Sequence, residues 1–392
     1  MQPTRPSSLP ELDPAARAHS AAVTEHLRAH IDASNGWLPF EAWMTQALYA
    51  PGLGYYTAGA VKLASDVASA ALPAGDFVTA PELSPLFAHT LAHQVAQWLR
   101  ATGTTEVLEF GAGTGALAEG VLAELDRLGL PCSYRIVEIS TDLRARQQAR
   151  LAPLGDRVQW LDTLPEAFEG VVLANEVLDA MPLRLFRYDE QGRLQERGVS
   201  WQNGFIWVDR PAEPALAEAL AARMPALPGY ASEINLQAEA WVREMGRWLK
   251  RGAALLIDYG FPRHEYYHPQ RAGGTLMCHL RHHAHADPFV APGMQDITGH
   301  VDFTAIADAA LDGGLEVLGY TSQARFLMNA GLLDMLARLD PADTRRYAQT
   351  VAPVQKLLSE AEMGELFKVM ALGRDVPCDS MGFARGDRRA TL

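Results

Sequence analysis

The feature that most constrains the fold is a change in the hydrophobic pattern at Thr105, after which strand-like and helix-like sequence patterns alternate. Short apolar runs such as EVLEF, VVLANEV and GAALLIDYG are separated by amphipathic segments such as ALAEGVLAELDRLG. Strands that alternate with helices pair in parallel through right-handed crossovers, and such sheets bind ligands at the carboxyl ends of their strands. The pattern therefore predicts a doubly wound α/β fold.

The remaining sequence divides into segments around this core. Apolar residues such as Val23, Leu27 and Ile31 recur at helical spacing near the start of the chain, so this part is expected to be helical. Four segments are predicted: a helical N-terminal lid or substrate region over 1–100, the core over 101–185 and 230–330, a small antiparallel β insertion over 186–229, and a C-terminal helical segment with a frayed polar tail over 331–392.

Composition limits the classes of partner and the compartment. The 34 basic and 47 acidic residues give 34 − 47 = −13, which argues against a general nucleic-acid surface and favours a cationic partner. The three cysteines lack metal-like spacing and are too few for a disulfide framework, so a reducing compartment and the cytoplasm are expected. No apolar stretch approaches the length of a membrane span, and no membrane insertion is expected.

A glycine-rich turn follows the first strand of the alternating region. The segment EFGAGTGAL places Glu109, Gly111, Gly113 and Gly115 where the strand leads into a helix, and an acid, Glu138, ends the next strand. Such a turn allows a ligand to contact the backbone, while an acid after the second strand can accept hydrogen bonds from ribose hydroxyls. The same letters fit a dinucleotide site. An acid two residues before the first glycine, with no basic residue after the turn, favours S-adenosyl-L-methionine.

Polar residues also end the third and fourth strands. Asp162 follows the third strand, where it can contact the adenine amino group, although a helix cap or a solvated loop acid is an alternative interpretation. Asn175, Glu176 and Asp179 follow the fourth strand at the expected ligand crevice. Paired carboxylates can hold a guanidinium by forked hydrogen bonds and leave one nitrogen able to attack a methyl group. The alternative role for these acids is to cap a helix N-terminus.

Several motifs occur in one order, and together they resemble the MidA family, which includes the mitochondrial complex I assembly arginine methyltransferase. They include GLGYYT, GDFVTAPELSPLF, LEFGAGTGALAEGVL, ANEVLDAMPLRLF and LLIDYGFPRHEYYHPQRAGGTL. The resemblance implies a class I, Rossmann-like, seven-stranded methyltransferase core with a helical N-terminal part.

The resemblance also implies an activity, which is protein arginine methylation with S-adenosyl-L-methionine as cofactor. The implied partner is a protein with an arginine acceptor, such as a respiratory-complex subunit. The match to GDFVTAPELS places Thr79, Pro81 and Glu82 over the cofactor or the substrate. Departures from the family pattern at Ala88 and His89 fall in the N-terminal part, where they bear on the identity of the substrate.

Two alternative functions remain open, and a histidine-rich segment suggests the first of them. Seven of the twelve histidines lie between residues 264 and 300. A metal-dependent hydrolase is one alternative, but there is no HExxH motif and no metal ligand is assigned. A non-catalytic assembly factor that retains the fold is the other. The segment is expected to be a loop whose histidines bind backbone groups, and His300 is a candidate to accept the proton lost on methylation. Asp258, Tyr259 and Asp302 are further candidates for contact with the substrate.

Overall fold

The computed structural model of the protein describes residues 9–58, 79–340 and 344–392, with side chains described for all of these but 344–349. Part of the predicted loose N-terminal segment and residues 75–78 of the GDFVTAPELS motif lie outside the described residues.

The described helices follow one another in this order: α1 (Pro14–Ala33), α2 (Phe40–Tyr49), α3 (Ala80–Leu83), α4 (Pro85–Thr102), α5 (Ala116–Arg127), α6 (Thr141–Leu151), α7 (Pro214–Ala221), α8 (Leu236–Trp248), α9 (Arg263–Tyr266), α10 (Phe303–Asp312), α11 (Gln323–Asn329), α12 (Leu332–Ala337) and α13 (Thr344–Leu358). Short 3₁₀ helices cover Ala152–Arg157, Met381–Phe383 and Arg389–Thr391.

The described strands are β1 (Leu38–Pro39), β2 (Glu106–Phe110), β3 (Ser133–Val137), β4 (Val158–Leu161), β5 (Phe168–Asn175), β6 (Arg184–Tyr188), β7 (Leu194–Trp201), β8 (Phe205–Pro211), β9 (Ala231–Ile234), β10 (Leu249–Phe261), β11 (Met277–Leu280), β12 (His283–His285), β13 (Asp296–Thr298), β14 (Val301–Asp302), β15 (Glu316–Ser322) and β16 (Phe367–Arg374).

The chain forms two compact units that differ from the predicted segments. Unit 1 takes the described residues of Met1–Phe77 together with Asp179–Ala238 and Arg263–Asp302. Unit 2 takes the described residues of Val78–Leu178 together with Glu239–Pro262 and Phe303–Leu392. The predicted N-terminal part is thus divided between the units, because α1 and α2 pack with the β insertion whereas α3 and α4 pack with the core.

Unit 2 contains an open sheet with the strand order β15-β16-β10-β5-β2-β3-β4. The five strands from β10 to β4 pair in parallel, and β16 runs antiparallel to both β10 and β15. This is the predicted class I seven-stranded arrangement, and that prediction is confirmed. All the parallel strands end at the same edge of the sheet, where the residues predicted for the cofactor follow β2, β3, β4 and β5.

Helices of unit 2 pack closely on this sheet. A Cβ at Gly120 of α5 would lie 2.5 Å from the Cβ of Ala88 on α4, so the two helices touch through their backbones. Apolar residues of α4, α5 and the strands form one buried cluster around Trp98, Leu122 and Val171. This packing fixes the start of α5 at the carboxyl edge of the sheet.

Unit 1 is built on antiparallel strands. The strands β6, β7 and β8 form the predicted antiparallel insertion, and β1 and β9 extend the same sheet. Trp43 of α2 packs edge-on against Phe205 and Phe289, with ring centroids 5.6 and 5.5 Å away. The insertion therefore shares its core with the N-terminal helices.

Two sequence-based expectations require correction. The histidine-rich segment contains a three-stranded antiparallel sheet, β12-β11-β13, where only a loop was predicted. Residues 331–392 contain the buried strand β16 as well as helices. This strand was not predicted because its residues are buried from Phe367 to Gly373, Lys368 included, so its sequence lacks the alternation by which a strand is recognised. The polar tail is held against β15, since Arg388 donates its backbone N–H to the carbonyl of Tyr320 at 2.6 Å.

No helix among the described residues combines the length and the apolar character needed to cross a membrane.

Candidate cofactor and active site

The glycine turn after β2 has the conformation that its composition predicts. Gly111, Gly113 and Gly115 have φ angles of 61°, 54° and 85°, in the left-handed region that favours glycine. A Cβ at Gly113 would meet nothing within 4 Å, so open space lies beside the backbone there. Gly115 is the N-cap of α5, whose first N–H groups have no partner within the helix. The turn is therefore an accessible backbone surface that fits the carboxylate end of S-adenosyl-L-methionine.

Glu109, two residues before the turn, is deeply buried on β2. Its Oε2 accepts a hydrogen bond from the hydroxyl of Tyr134 at 2.7 Å. Burial raises the pKa of Glu109 to about 8, against the smaller opposite effect of the Tyr134 hydrogen bond. A nearby ammonium group would stabilise the ionised carboxylate. The predicted contact between Glu109 and the cationic end of the cofactor stays a prediction.

Glu138 lies directly after β3 at the same edge of the sheet. One carboxylate oxygen accepts from the backbone N–H of Ser140 at 2.9 Å, and the other accepts from Nε2 of Gln147 at 2.8 Å. Burial raises the pKa of Glu138, and these two hydrogen bonds oppose that effect. A carboxylate has about four acceptor positions, so acceptor capacity remains for the ribose hydroxyls that the sequence predicts as partners.

The ends of β3 and β4 also carry exposed apolar side chains. Ile139 is 62% exposed and Leu164 is 40% exposed, so both present aliphatic surface to solvent. Such surfaces suit the flat faces of an adenine ring. The carboxylate of Asp162 is largely exposed and binds Nη1 of Arg144 at 2.5 Å, so it is an ion-paired loop acid whose adenine contact stays a prediction. Sequence reasoning missed the two apolar residues, although each closely follows the end of its strand.

The short helix α3 contacts the glycine turn. Thr79 is its N-cap and Pro81 lies in its first turn, while the carboxylate of Glu82 accepts a hydrogen bond from Oγ1 of Thr114. Arg150 of α6 joins the group, since Nη1 lies 2.9 Å from Thr114 Oγ1 and 3.3 Å from Glu82 Oε1. Glu82 is therefore beside the predicted cofactor turn. Arg150 was missed because nothing in the sequence indicates that α6 reaches the turn.

The residues that follow β5 have an unusual backbone conformation. Glu176 has a φ of 54°, which is uncommon for a residue other than glycine and is concentrated at functional sites. Its backbone N–H donates to the carbonyl of Ile257 at 2.9 Å, and its carboxylate accepts from Nδ2 of Asn175 at 3.1 Å. The Oδ1 atom of Asn175 is buried and has no hydrogen-bond partner among the described residues. Buried acceptors are rarely left unsatisfied, so this atom fits a donor group of a bound cofactor or substrate.

Asp258 on β10 holds the loop that follows β5. Its two carboxylate oxygens accept from the backbone N–H groups of Leu178 and Tyr259, each at 3.0 Å. The geometry assigns to Asp258 a role in fixing the backbone near Glu176, whereas its predicted contact with the substrate stays a prediction.

Asp179 and His300, the other predicted catalytic residues, belong to unit 1. Asp179 is buried, and its backbone carbonyl accepts from the N–H of Gly299 at 3.0 Å. The backbone N–H of His300 donates to Oγ1 of Thr275, whose hydroxyl donates in turn to the buried carboxylate of Glu233 at 2.6 Å. These bonds fix the backbone that follows β13 in unit 1. The predicted catalytic roles of Asp179 and His300 stay predictions.

The histidine-rich segment shows no metal-binding geometry. Among the residues that the structure describes, no three histidine, cysteine or acidic side chains converge in a way that could hold a metal ion. Burial lowers the pKa of His279 to about 4, so this ring is neutral at physiological pH and packs within the small sheet of unit 1. The metal-dependent hydrolase gains no support from these residues.

Comparisons with known proteins agree with the predicted cofactor class. Residues 90–321 match a family described as S-adenosyl-L-methionine-dependent methyltransferases. The chain is 27% identical to a Mus musculus protein named protein arginine methyltransferase NDUFAF7, mitochondrial, over 92% of this chain and 86% of that one. The Danio rerio protein of the same name is 26% identical, over 90% of this chain and 86% of that one.

A solved structure is more similar to this chain than the mouse and zebrafish proteins are. A crystal structure of a candidate methyl transferase from Burkholderia thailandensis, bound to S-adenosylhomocysteine, is 54% identical with a TM-score of 0.92. The match covers 98% of this chain and 100% of that one. The predicted cofactor class, S-adenosyl-L-methionine, is thus confirmed.

Proposed function

The chain belongs to a family of S-adenosyl-L-methionine-dependent methyltransferases, and from that premise we propose that it methylates arginine side chains of a protein. When bound, the cofactor supplies a methyl group on a sulfonium centre. The residues of unit 2 that would hold the cofactor are the glycine turn, Glu138 and the apolar side chains of Ile139 and Leu164. The protein must then place an acceptor nitrogen in line with the methyl group and keep a lone pair on it.

The observation that carries the proposal is the position of Glu176, an acid with a constrained backbone directly after β5. A guanidinium stays protonated at neutral pH, so its methylation requires a carboxylate that localises the positive charge on one side of the group. Glu176 follows β5 at the carboxyl edge of the sheet, and the constrained backbone at φ 54° directs its carboxylate toward Asn175 Nδ2. Because β5 is the direct neighbour of β2, Glu176 and the predicted cofactor turn follow adjacent strands at the same edge of the sheet, which supports this role.

The relatives support the same acceptor. The mouse and zebrafish proteins, both named protein arginine methyltransferases, align with about nine-tenths of this chain. The net charge of −13 also favours a partner rich in arginine and lysine. The proposed substrate is therefore a basic protein with an accessible arginine, and a respiratory-complex subunit is the first to be tested.

The substitution Glu176→Gln tests the proposal, because it keeps the size of the side chain and removes its charge. We expect the affinity for S-adenosylhomocysteine to stay within about threefold, while methyl transfer to arginine falls by about 100-fold or more. Mass spectrometry of proteins from cells with and without the gene identifies the acceptor, and purified enzyme with that acceptor gives the rates.

Glu169→Gln is the matched control. Glu169 lies on the same strand, is exposed, and pairs with Arg251, so we expect its substitution to leave the transfer rate unchanged. Full arginine methylation by the Glu176→Gln variant would remove this carboxylate from the mechanism, and transfer to a different residue type would overturn the arginine assignment.

The proposed compartment is the cytoplasm. The three cysteines are free thiols in the structure, which suits a reducing environment. Cell fractionation with an antibody against the protein tests this assignment, and recovery from an oxidising compartment would contradict it.

A further inference from the structure

A glutamine that sequence reasoning did not single out occupies the centre of the cofactor region in unit 2. Gln147 lies on α6 and is completely buried, which is uncommon for this residue type. Its Nε2 donates to the carbonyl of Gly113 and to Oε2 of Glu138, both at 2.8 Å, and its Oε1 accepts from Nε1 of Trp160 at 2.9 Å. One side chain thus connects the glycine turn, the acid after β3 and an aromatic residue of β4.

The orientation of this amide follows from its partners. An indole N–H can only donate, so the atom of Gln147 that faces Trp160 must be the oxygen. The NH₂ group must therefore face the Gly113 carbonyl and the Glu138 carboxylate, both of which are acceptors. The three contacts agree with a single amide orientation, and no alternative flip satisfies them.

We propose that Gln147 is a positioning residue for the cofactor, which holds the Glu138 carboxylate and the glycine turn in the arrangement that binds the nucleoside and methionine parts together. This inference rests on the proposed function only through cofactor binding and does not depend on the acceptor.

Two physical effects support the assignment. Gln147 and the N–H of Ser140 each donate to a different oxygen of Glu138, which fixes the rotation of the carboxylate and favours its ionised, acceptor-only form. An ionised carboxylate accepts hydrogen bonds from ribose hydroxyls, whereas a protonated one presents only part of that acceptor capacity. The bond to Gly113 also holds the turn at a fixed distance from this acid. Supporting contacts of this kind determine whether a binding site is preorganised.

The test uses Gln147→Met, which keeps the length of the side chain and removes its hydrogen bonds. We expect the affinity for S-adenosylhomocysteine, measured by calorimetry, to fall about tenfold or more, since hydrogen bonds to charged groups are the stronger ones. Gln94→Met is the matched control, because Gln94 is also completely buried in unit 2 and binds Gln97 and the backbone N–H of Gly382. Its substitution is expected to lower the melting temperature and to leave the affinity within about twofold.

A double-mutant cycle with Glu138→Gln separates positioning from a general structural effect. If Gln147 acts partly through Glu138, Gln147→Met costs less affinity in the Glu138→Gln protein than in wild type, and the loss that remains there reports the bond to Gly113. For an analogue of S-adenosylhomocysteine without the 2′ and 3′ hydroxyls, Gln147→Met should likewise cause a smaller fold-loss of affinity than it does for S-adenosylhomocysteine. An equal fold-loss for Gln147→Met in both backgrounds and with both ligands would overturn the proposal, as would unchanged affinity.

Trp160→Phe provides a second, milder variant in case Gln147→Met does not fold. It removes only the donor that orients the amide, so we expect a smaller loss of affinity that is smaller still in the Glu138→Gln background. All these readouts are binding measurements. If Gln147 and Glu138 show the expected energetic coupling in cofactor binding but no arginine is methylated, only the proposed acceptor is contradicted. If the two residues show no such coupling while arginine methylation is intact, only the role of Gln147 is contradicted.

Discussion

At the scale of single residues, the glycine turn gives the most direct test of the cofactor site. Gly113→Val places a β-branched side chain at a φ of 54° and fills the open space beside the turn. We expect binding of S-adenosylhomocysteine to fall below detection in calorimetry.

Gly129→Val separates this effect from backbone strain. Gly129 follows the other end of α5 and has a φ of 70°, and a Cβ added there would also meet nothing within 4 Å. Its substitution should destabilise the fold by a similar amount, of order 1 kcal/mol or more, and leave binding intact. Equal loss of binding in both variants would indicate that strain, and not obstruction of the turn, is responsible.

The raised pKa of Glu109 leads to a prediction about proton release when the cofactor binds. With a pKa of about 8, its carboxyl group is mostly protonated at pH 7 in the free protein. If the ammonium group of the cofactor lies beside it, binding favours ionisation and releases up to one proton. The free protein then binds more protons than the complex, so the affinity rises with pH up to about 8 and levels off above it.

Calorimetry in buffers with different ionisation enthalpies measures this proton release. Glu109→Gln provides the control, because the variant has no proton to lose at that position and should show less release at pH 7. The same release in wild type and variant would show that the cofactor does not ionise Glu109, and the carboxyl group would then serve only its hydrogen bond with Tyr134.

At the scale of elements, the sequence predicted those parts of unit 2 whose patterns are local. The parallel strands are short apolar runs bounded by glycines and polar residues, and each was recognised. Strand β16 was not, because FKVMALGR is buried on both faces, Lys368 included, and a sequence without alternation fits a helix equally well. Gln147 was missed for a related reason, since only tertiary contacts show which polar residue of α6 faces inward.

The C-terminal tail is an element whose contacts were also invisible in the sequence. Besides the bond from Arg388 to Tyr320, the side chain of Thr321 donates to the carbonyl of Gly386 at 2.7 Å, and Nη1 of Arg389 donates to the carbonyl of Val317 at 3.0 Å. The tail thus covers the edge strand β15. Exposed edge strands are sites of aggregation, which explains why an apparently frayed segment is held in place.

Truncation after Ala384 should therefore lower the melting temperature by several degrees and promote aggregation on heating. Truncation after Ala390 keeps all three contacts to β15 and serves as the control. Light scattering during a thermal scan compares the two proteins. Identical melting and scattering would show that the tail contributes nothing to the stability of unit 2.

At the scale of the whole molecule, the net charge of −13 distinguishes the two ligands of the proposed reaction. A basic protein substrate is attracted by the summed charge of the enzyme, and salt screens that attraction over a Debye length of about 8 to 10 Å at physiological ionic strength. The cofactor carries little net charge and is expected to bind mainly through local contacts in unit 2.

The KM for the protein acceptor should therefore rise by about tenfold between 50 and 300 mM salt, while the affinity for S-adenosylhomocysteine changes by less than about twofold. A short arginine peptide of zero net charge is the control, since its KM should vary little with salt although it presents the same reacting group. If the KM values for the basic protein and the neutral peptide depend equally on salt, the charge of the whole molecule does not select the partner, and recognition must reside in the contacts around the acceptor arginine.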